Sequence, residues 1–277
     1  MAQRRRNVAY AWIIDALDQT WTSIERTLRP KSDEVYVAMT PCPGWTVRDV
    51  LSHLIGFELM LRGEAVPSHE GPWPEYVKNP IGEINEAYVA AYRTNSGADV
   101  LDLFWTTTRR SLGRLGSLSD EEWEKVGWSP EGERPFHRFM ETRVLDSWIH
   151  LQDIRDALLE PSDDHGPGEE IVVNRFEAAL PYVLGKRANA PEGTVVQINL
   201  SGRLARTILL GVEGGRASAI ERTERPADLE LTTPVALFWR RAAGRISTDA
   251  FLNASATDVR GDKSLARSLA ECLCVMI

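Results

Sequence analysis

The chain has 277 residues, 43% of them hydrophobic and 26% charged, with a formal net charge of −8 at pH 7. That mixture belongs to a globular protein rather than a fibrous or disordered one, and the length covers one large domain or two ordinary ones. The acidic balance argues against a general nucleic-acid binder, which needs a basic face to displace counterions from phosphates. No apolar run approaches the ~20 residues of a membrane span. The opening MAQRRRN is basic, but Asp15 and Asp18 interrupt the apolar stretch that a signal peptide would need after it. The expectation is a cytoplasmic protein with neither nucleic acid nor membrane as partner. Cys42, Cys272 and Cys274 are an odd set, unsuited to a disulfide framework or a four-ligand zinc knuckle. They read as small reduced thiols.

In chain order, Tyr10, Ile13, Ile14, Leu17, Trp21, Ile24 and Leu28 recur at three and four, one stripe of a long helix closed by Arg29 and Pro30. A second helix follows the turn-forming run Pro41, Cys42, Pro43, Gly44, Trp45. Thr46 and Asp49 have capping-box spacing at its start, and Val47, Val50, Leu51, Leu54, Phe57 and Leu61 form its stripe. A helical stretch runs from about Ile84 to Leu115, broken near Asn95, Ser96 and Gly97, and a fourth helix runs from after Pro135 to about Leu159. Four helices predict a four-helix bundle. Residues 64–81 and 117–134 are polar and rich in Pro and Gly, so they read as loops.

Residues 161–168 have linker composition. A helix over about 169–187 follows, and then the apolar period changes to two. Strands are expected at Thr194–Leu200, Arg206–Val212, Ala217–Arg222 after a Gly214, Gly215 turn, and Ala227–Thr232. Short helices are expected at about 234–243 and 263–274. The fold expected is thus an α domain, residues 1–160, followed by a small α+β domain, residues 169–277, with a mostly antiparallel sheet.

The fourth helix carries the chemistry. Its centre is apolar, yet Arg143, Asp146, His150 and Asp153 fall at i, i+3, i+7 and i+10, a polar stripe on a helix that otherwise looks buried. Buried charge is costly unless it is paired or holds a metal. Asp146 and His150, four apart, lie one above the other on one face. On the second helix, His53 lies among Val50, Leu54 and Phe57 and faces the bundle. His53, Asp146 and His150 would make an open N/N/O site of the kind that suits Zn²⁺, Fe²⁺, Ni²⁺ or Mn²⁺. The competing readings are a hydrogen-bonded core histidine for His53, a structural ion pair for Asp146 with Arg143, and a surface or ligand-supporting role for Asp153. His69, His137 and His165 fall in or near loops and read as solvated. Cys42 reads as part of a turn, with an activated thiol as the alternative. Nucleophile elbows, phosphate-cradling loops and dinucleotide fingerprints are absent from the sequence.

Two of these segments carry a resemblance. Thr40 to Leu54 (TPCPGWTVRDVLSHL) and Arg143 to Arg155 (RVLDSWIHLQDIR) resemble the paired motifs of mycothiol-dependent maleylpyruvate isomerase-like proteins, within the DinB-like group of metal-binding four-helix bundles. The segments beginning at Arg225, Ala242 and Arg260 look like the sterol-carrier-like domain that often follows such a bundle. The resemblance implies metal ligands at His53, Asp146 and His150. The isomerase proper carries glutamate at the middle position, where this chain has an aspartate one methylene shorter. It also implies an arginine that holds the substrate carboxylate, with Arg143 and Arg245 as candidates and Arg240, Arg241 and Arg260 as further anion binders.

The implied function is a divalent-metal-dependent enzyme, zinc first, with mycothiol as thiol cosubstrate and a small electrophile as substrate. In isomerisation the thiolate adds to a cis double bond, rotation follows, and expulsion of the thiolate leaves the trans product. In transfer the thiol stays attached. The alternative is a non-catalytic, metal-stabilised module that binds a hydrophobic ligand in the C-terminal half. Bundles of this type could also pair as homodimers through helix faces.

Overall fold

The computed structural model describes residues 9–276; the basic opening residues 1–8 lie outside it. The fold divides into two compact units, Met1–Ile171 and Val172–Ile277. The first is helical and the second is built on a largely antiparallel sheet.

Four long helices form the body of the first unit: α1 (Ala11–Leu28), α2 (Val47–Leu61), α4 (Gly97–Leu115) and α6 (Phe136–Ala157), with α3 (Pro80–Tyr92) packed on α2. The expected stripe of α1 is buried from Ile13 to Leu28, and Trp21 donates from Nε1 to Ser147 Oγ on α6 at 3.0 Å. At the head of α2 the capping box is complete: Thr46 accepts from the Asp49 backbone N–H, and Asp49 accepts from that of Thr46. The helical stretch read as starting near Ile84 begins four residues earlier. Asn79 accepts from Gly82 N–H, and Pro80 occupies the first turn, where its missing N–H is harmless. The break falls where expected, and Ser96 caps α4.

The segment 117–134, read as a loop, holds a short helix, α5 (Asp120–Glu124), capped by Ser119 and Glu122. It also holds β1 (Val126–Gly127), which pairs with β2 (Arg134–Pro135). Trp123 of α5 is fully buried. That single aromatic anchor turns a polar segment into structure.

In the second unit, α7 (Pro167–Tyr182) leads in and its last turn widens into a π-helical turn, Val183–Arg187. Strands β3 (Val195–Ser201), β4 (Arg206–Glu213), β5 (Arg216–Ala219), β6 (Leu229–Pro234) and β7 (Asp258–Gly261) form one sheet in the order β5-β4-β3-β6-β7. Three pairings are antiparallel; β3 and β6 run parallel. Alternation sets the buried face. Val196, Ile198 and Leu200 of β3 lie beside Leu210 and Ile208 of β4 and Leu229 and Leu231 of β6. Onto the strands pack α8 (Val235–Ala242) and α10 (Lys263–Cys272), with the short α9 (Thr248–Leu252) between them. The period-two reading found four of these five strands. It missed β7, whose four residues (DVRG) carry one apolar side chain and so no alternation, and it placed β5 one residue late at its start. No helix of the described residues is long and apolar enough to cross a membrane.

Candidate metal centre

The centre is built by α2 and α6. His53 is buried on α2, and Arg143, His150 and Asp153 are buried on α6. The structure brings His53, Asp146 and His150 together: one donor atom from each lies within 4.8 Å of the others. His53 Nε2 is 3.2 Å from both carboxylate oxygens of Asp146, and His150 Nε2 is 3.6 Å from Oδ1. A tetrahedron with metal–ligand bonds of 2.0–2.2 Å has edges of about 3.3–3.6 Å, so these separations match two ligand edges.

Neighbouring groups bear on the orientation and charge of these side chains. Asp153 Oδ2 lies 2.9 Å from His150 Nδ1. Asp153 is 1% exposed and meets the His150 ring, so it is not surface charge. With its proton on Nδ1, His150 presents a lone pair from Nε2, and a lone pair facing a carboxylate oxygen calls for a cation or a proton between them. Burial pushes the His53 imidazole below its ordinary pKa and outweighs the opposing pull of Asp146; the neutral ring is the ligand form. Burial alone would raise the Asp146 carboxyl, but the facing His53, Arg143 and His150 hold it well below the usual carboxylate range. His53 Nδ1 is buried with no hydrogen-bond partner.

The turn read at residues 41–45 places a wall of this site. Trp45 N–H donates to Cys42 carbonyl at 3.1 Å, and Gly44 has φ +77°, which L side chains rarely adopt. Trp45 then lays its indole 5.1 Å from the His53 ring and 6.0 Å from that of His150. Phe57 meets His53 edge-on at 5.4 Å.

Three residues of this surround escaped the sequence reading. Glu58, 4% exposed on α2, accepts from Arg143. Glu86, 1% exposed on α3, accepts from Trp45 Nε1 at 3.0 Å. Arg93 ties Glu86 to Asp49. For the two glutamates the only signal available was a carboxylate among apolar neighbours on an amphipathic helix, and for Arg93 there was none.

The arginines separate. Arg143 is buried between Glu58 and Asp146. Arg241 is also buried and donates to the carbonyls of Ala270, Ile246 and Glu271, so it is a structural cap in the second unit rather than an anion binder. Arg245 donates to Ala243 carbonyl, Arg240 lies over the Trp239 ring, and exposed Arg260 pairs with Asp258. The remaining histidines also divide. His165 is exposed beside Asp164, as expected. His137 instead lies in the first turn of α6, stacked on Tyr10, and His69 stacks on Trp73 at 4.0 Å. Both are half-buried against an aromatic ring and so only partly solvated. All three cysteines are half-buried thiols outside any disulfide.

The family model for the mycothiol maleylpyruvate isomerase N-terminal domain matches residues 17–155. No curated protein matches the sequence. Among solved structures, this chain is similar to a mycothiol-dependent maleylpyruvate isomerase at 15% identity, over 90% of this chain and 92% of that one, with a TM-score of 0.60. A histidine-to-alanine mutant of a mycothiol-dependent maleylpyruvate isomerase gives 16% identity over the same shares and a TM-score of 0.57. At such identities the likeness is one of fold. A likeness to sterol carrier protein 2 from Yarrowia lipolytica in its apo form, 16% identical over 38% of this chain and 88% of that one, has a TM-score of only 0.29 and carries no argument.

Proposed function

Because the chain belongs to the family of the mycothiol maleylpyruvate isomerase N-terminal domain, we propose that it is a divalent-metal-dependent enzyme using a low-molecular-weight thiol. Mycothiol is the first thiol to test. The reaction is isomerisation of a small electrophilic substrate, or transfer of the thiol to it. The observation that carries this reading is the convergence of His53, Asp146 and His150 from two helices of the matched region.

In this reading His53 and His150 hold the metal through Nε2 and Asp146 through a carboxylate oxygen. Zinc comes first, although the same donors accept nickel, iron or manganese. A divalent cation bound there supplies a Lewis acid that lowers the pKa of a ligated thiol. The chain's own residues do the rest. Asp153 holds the His150 ring in one orientation and tautomer. Trp45 and Phe57 pack against the imidazoles and keep water from them. Asp146 is the most exposed of the three, at 18% of its side chain, so thiol and substrate approach from its side.

The test is the metal content of the purified chain beside His150→Ala, with isomerisation of a cis-unsaturated acid followed with and without mycothiol. About one equivalent of divalent metal, lost in the variant, together with thiol-dependent turnover, supports the reading. A wild type that holds no metal after reconstitution with zinc, nickel and iron, or a variant that keeps it all, sinks it. The alternative is a hydrophobic-ligand module, for which one cleft of the second unit, about 520 Å³ with Glu192, Arg225, Asp228 and Asp262 on its walls, is unsuited by its charge.

A further inference from the structure

We infer that Glu58 and Arg143 form a positioning device that assigns Oδ1 of Asp146 as the ligand oxygen, an inference that rests on the metal-dependent reading above. Arg143 sits at the centre of α6 and is 1% exposed. A guanidinium so buried must be paired and hydrogen-bonded. Its Nε and Nη2 donate to Glu58 Oε1 at 3.3 and 3.1 Å, and its Nη1 donates to Asp146 Oδ2 at 2.5 Å. Phe57 closes one face, with its ring centroid 4.5 Å from Cζ. All three nitrogens are engaged, and the planar fork is held at two edges and one face.

Two consequences follow for the centre. Arg143 is not the anchor of a substrate carboxylate, since two protein carboxylates already share its charge in a buried place. It instead breaks the symmetry of Asp146. The terminal torsion of an aspartate is soft and roughly two-fold, so its oxygens are otherwise interchangeable. With Oδ2 held by the arginine, Oδ1 is the oxygen turned to His150, 3.6 Å from its Nε2, while His53 Nε2 lies 3.2 Å from both oxygens. Glu58 lies on α2, the helix that carries His53, five residues along. The pair therefore ties the helix of one ligand to the helix of the other two.

The experiment compares wild type, Arg143→Lys and the double variant Glu58→Leu/Arg143→Met for Zn²⁺ affinity, by chelator competition, and for the Co²⁺ absorption spectrum. Removing both charges together leaves neither one buried alone, so the double variant is expected to fold. It should bind Zn²⁺ about 10–100-fold more weakly, the effect of losing a group that orients a ligand, with an altered Co²⁺ spectrum as both oxygens become free. Lysine offers one point charge for two partners and should rescue affinity only in part. Folded variants with wild-type affinity and spectrum overturn the inference. So does an Arg143→Lys variant whose only change is a raised KM for a carboxylate substrate. If the double variant does not fold, Arg143→Lys decides. A wild type that binds neither Zn²⁺ nor Co²⁺ overturns the metal-dependent reading, and this inference with it.

Discussion

The indole Nε1 of Trp45 donates a 3.0 Å hydrogen bond to Oε2 of Glu86, a carboxylate only 1% exposed, and the same indole lies against both imidazoles of the centre. Arg93 reaches the other oxygen of Glu86 at 3.1 Å. The ring that walls the site is thus held by a third helix. Trp45→Phe keeps an aromatic face but removes the donor, leaving a buried acceptor short of one partner. The expected cost is about 1–3 kcal/mol, read as a lowered Tm. Quenching of tryptophan fluorescence by Co²⁺ should also shrink, because Trp45 packs directly on two proposed ligands. An unchanged Tm with unchanged quenching refutes this role.

Asp153 fixes the ring of His150. Asp153→Ala should weaken Zn²⁺ binding by about 10–100-fold, the usual effect of removing a partner that orients a ligand histidine. Asp153→Asn retains a carbonyl acceptor for Nδ1–H and should weaken it less. Equal affinity in both variants and wild type would show that His150 needs no such partner.

Gly56 lies on the core side of α2, where a Cβ would come within 2.3 Å of Tyr88 Cγ on α3. The clashing atoms sit near the root of the tyrosine side chain, so rotation of the ring cannot relieve them. Gly56→Ala should destabilise the first unit by about 1–3 kcal/mol or more through overpacking, despite the better helix propensity of alanine. Chemical denaturation measures it. A stabilised variant would mean that α2 and α3 separate without cost.

In the second unit the Asp228 carboxylate is held below its ordinary pKa by Arg225 and by the Val195 N–H. Its contribution to stability is therefore complete above the unfolded carboxylate value of about 3.9. It is lost as pH falls through the depressed folded value. The pair is largely exposed, so screening keeps the effect below about 1 kcal/mol. Asp228→Asn should be less stable than wild type at pH 7, and the gap should close below about pH 4. Hydrogen exchange at Val195 N–H in the full chain reads it locally. A gap that stays constant with pH rules the mechanism out.

Much of this protein is legible along the chain because the signals are short-range. The Thr46–Asp49 capping box, the stripe of α1 and the spacing of Asp146 to His150 involve residues within a few turns of each other. Backbone geometry alone then sets which face they share. The alternating runs of β3, β4 and β6 are read in the same way. Even His53 could be aimed at the bundle from its apolar neighbours.

What tertiary structure alone decided are the partners. Glu58 meets Arg143 across 85 positions and Trp45 meets Glu86 across 41. Nothing in either local pattern names the other, because such pairs depend on the rotation of each helix about its axis and on how closely α2, α3 and α6 approach. The parallel pairing of β3 with β6 is equally non-local. Local spacing along the chain sets which residues face inward and which helix turn presents two donors at once. The packing of helices decided which buried charges neutralise each other, and left His53, Asp146 and His150 facing one another at the centre.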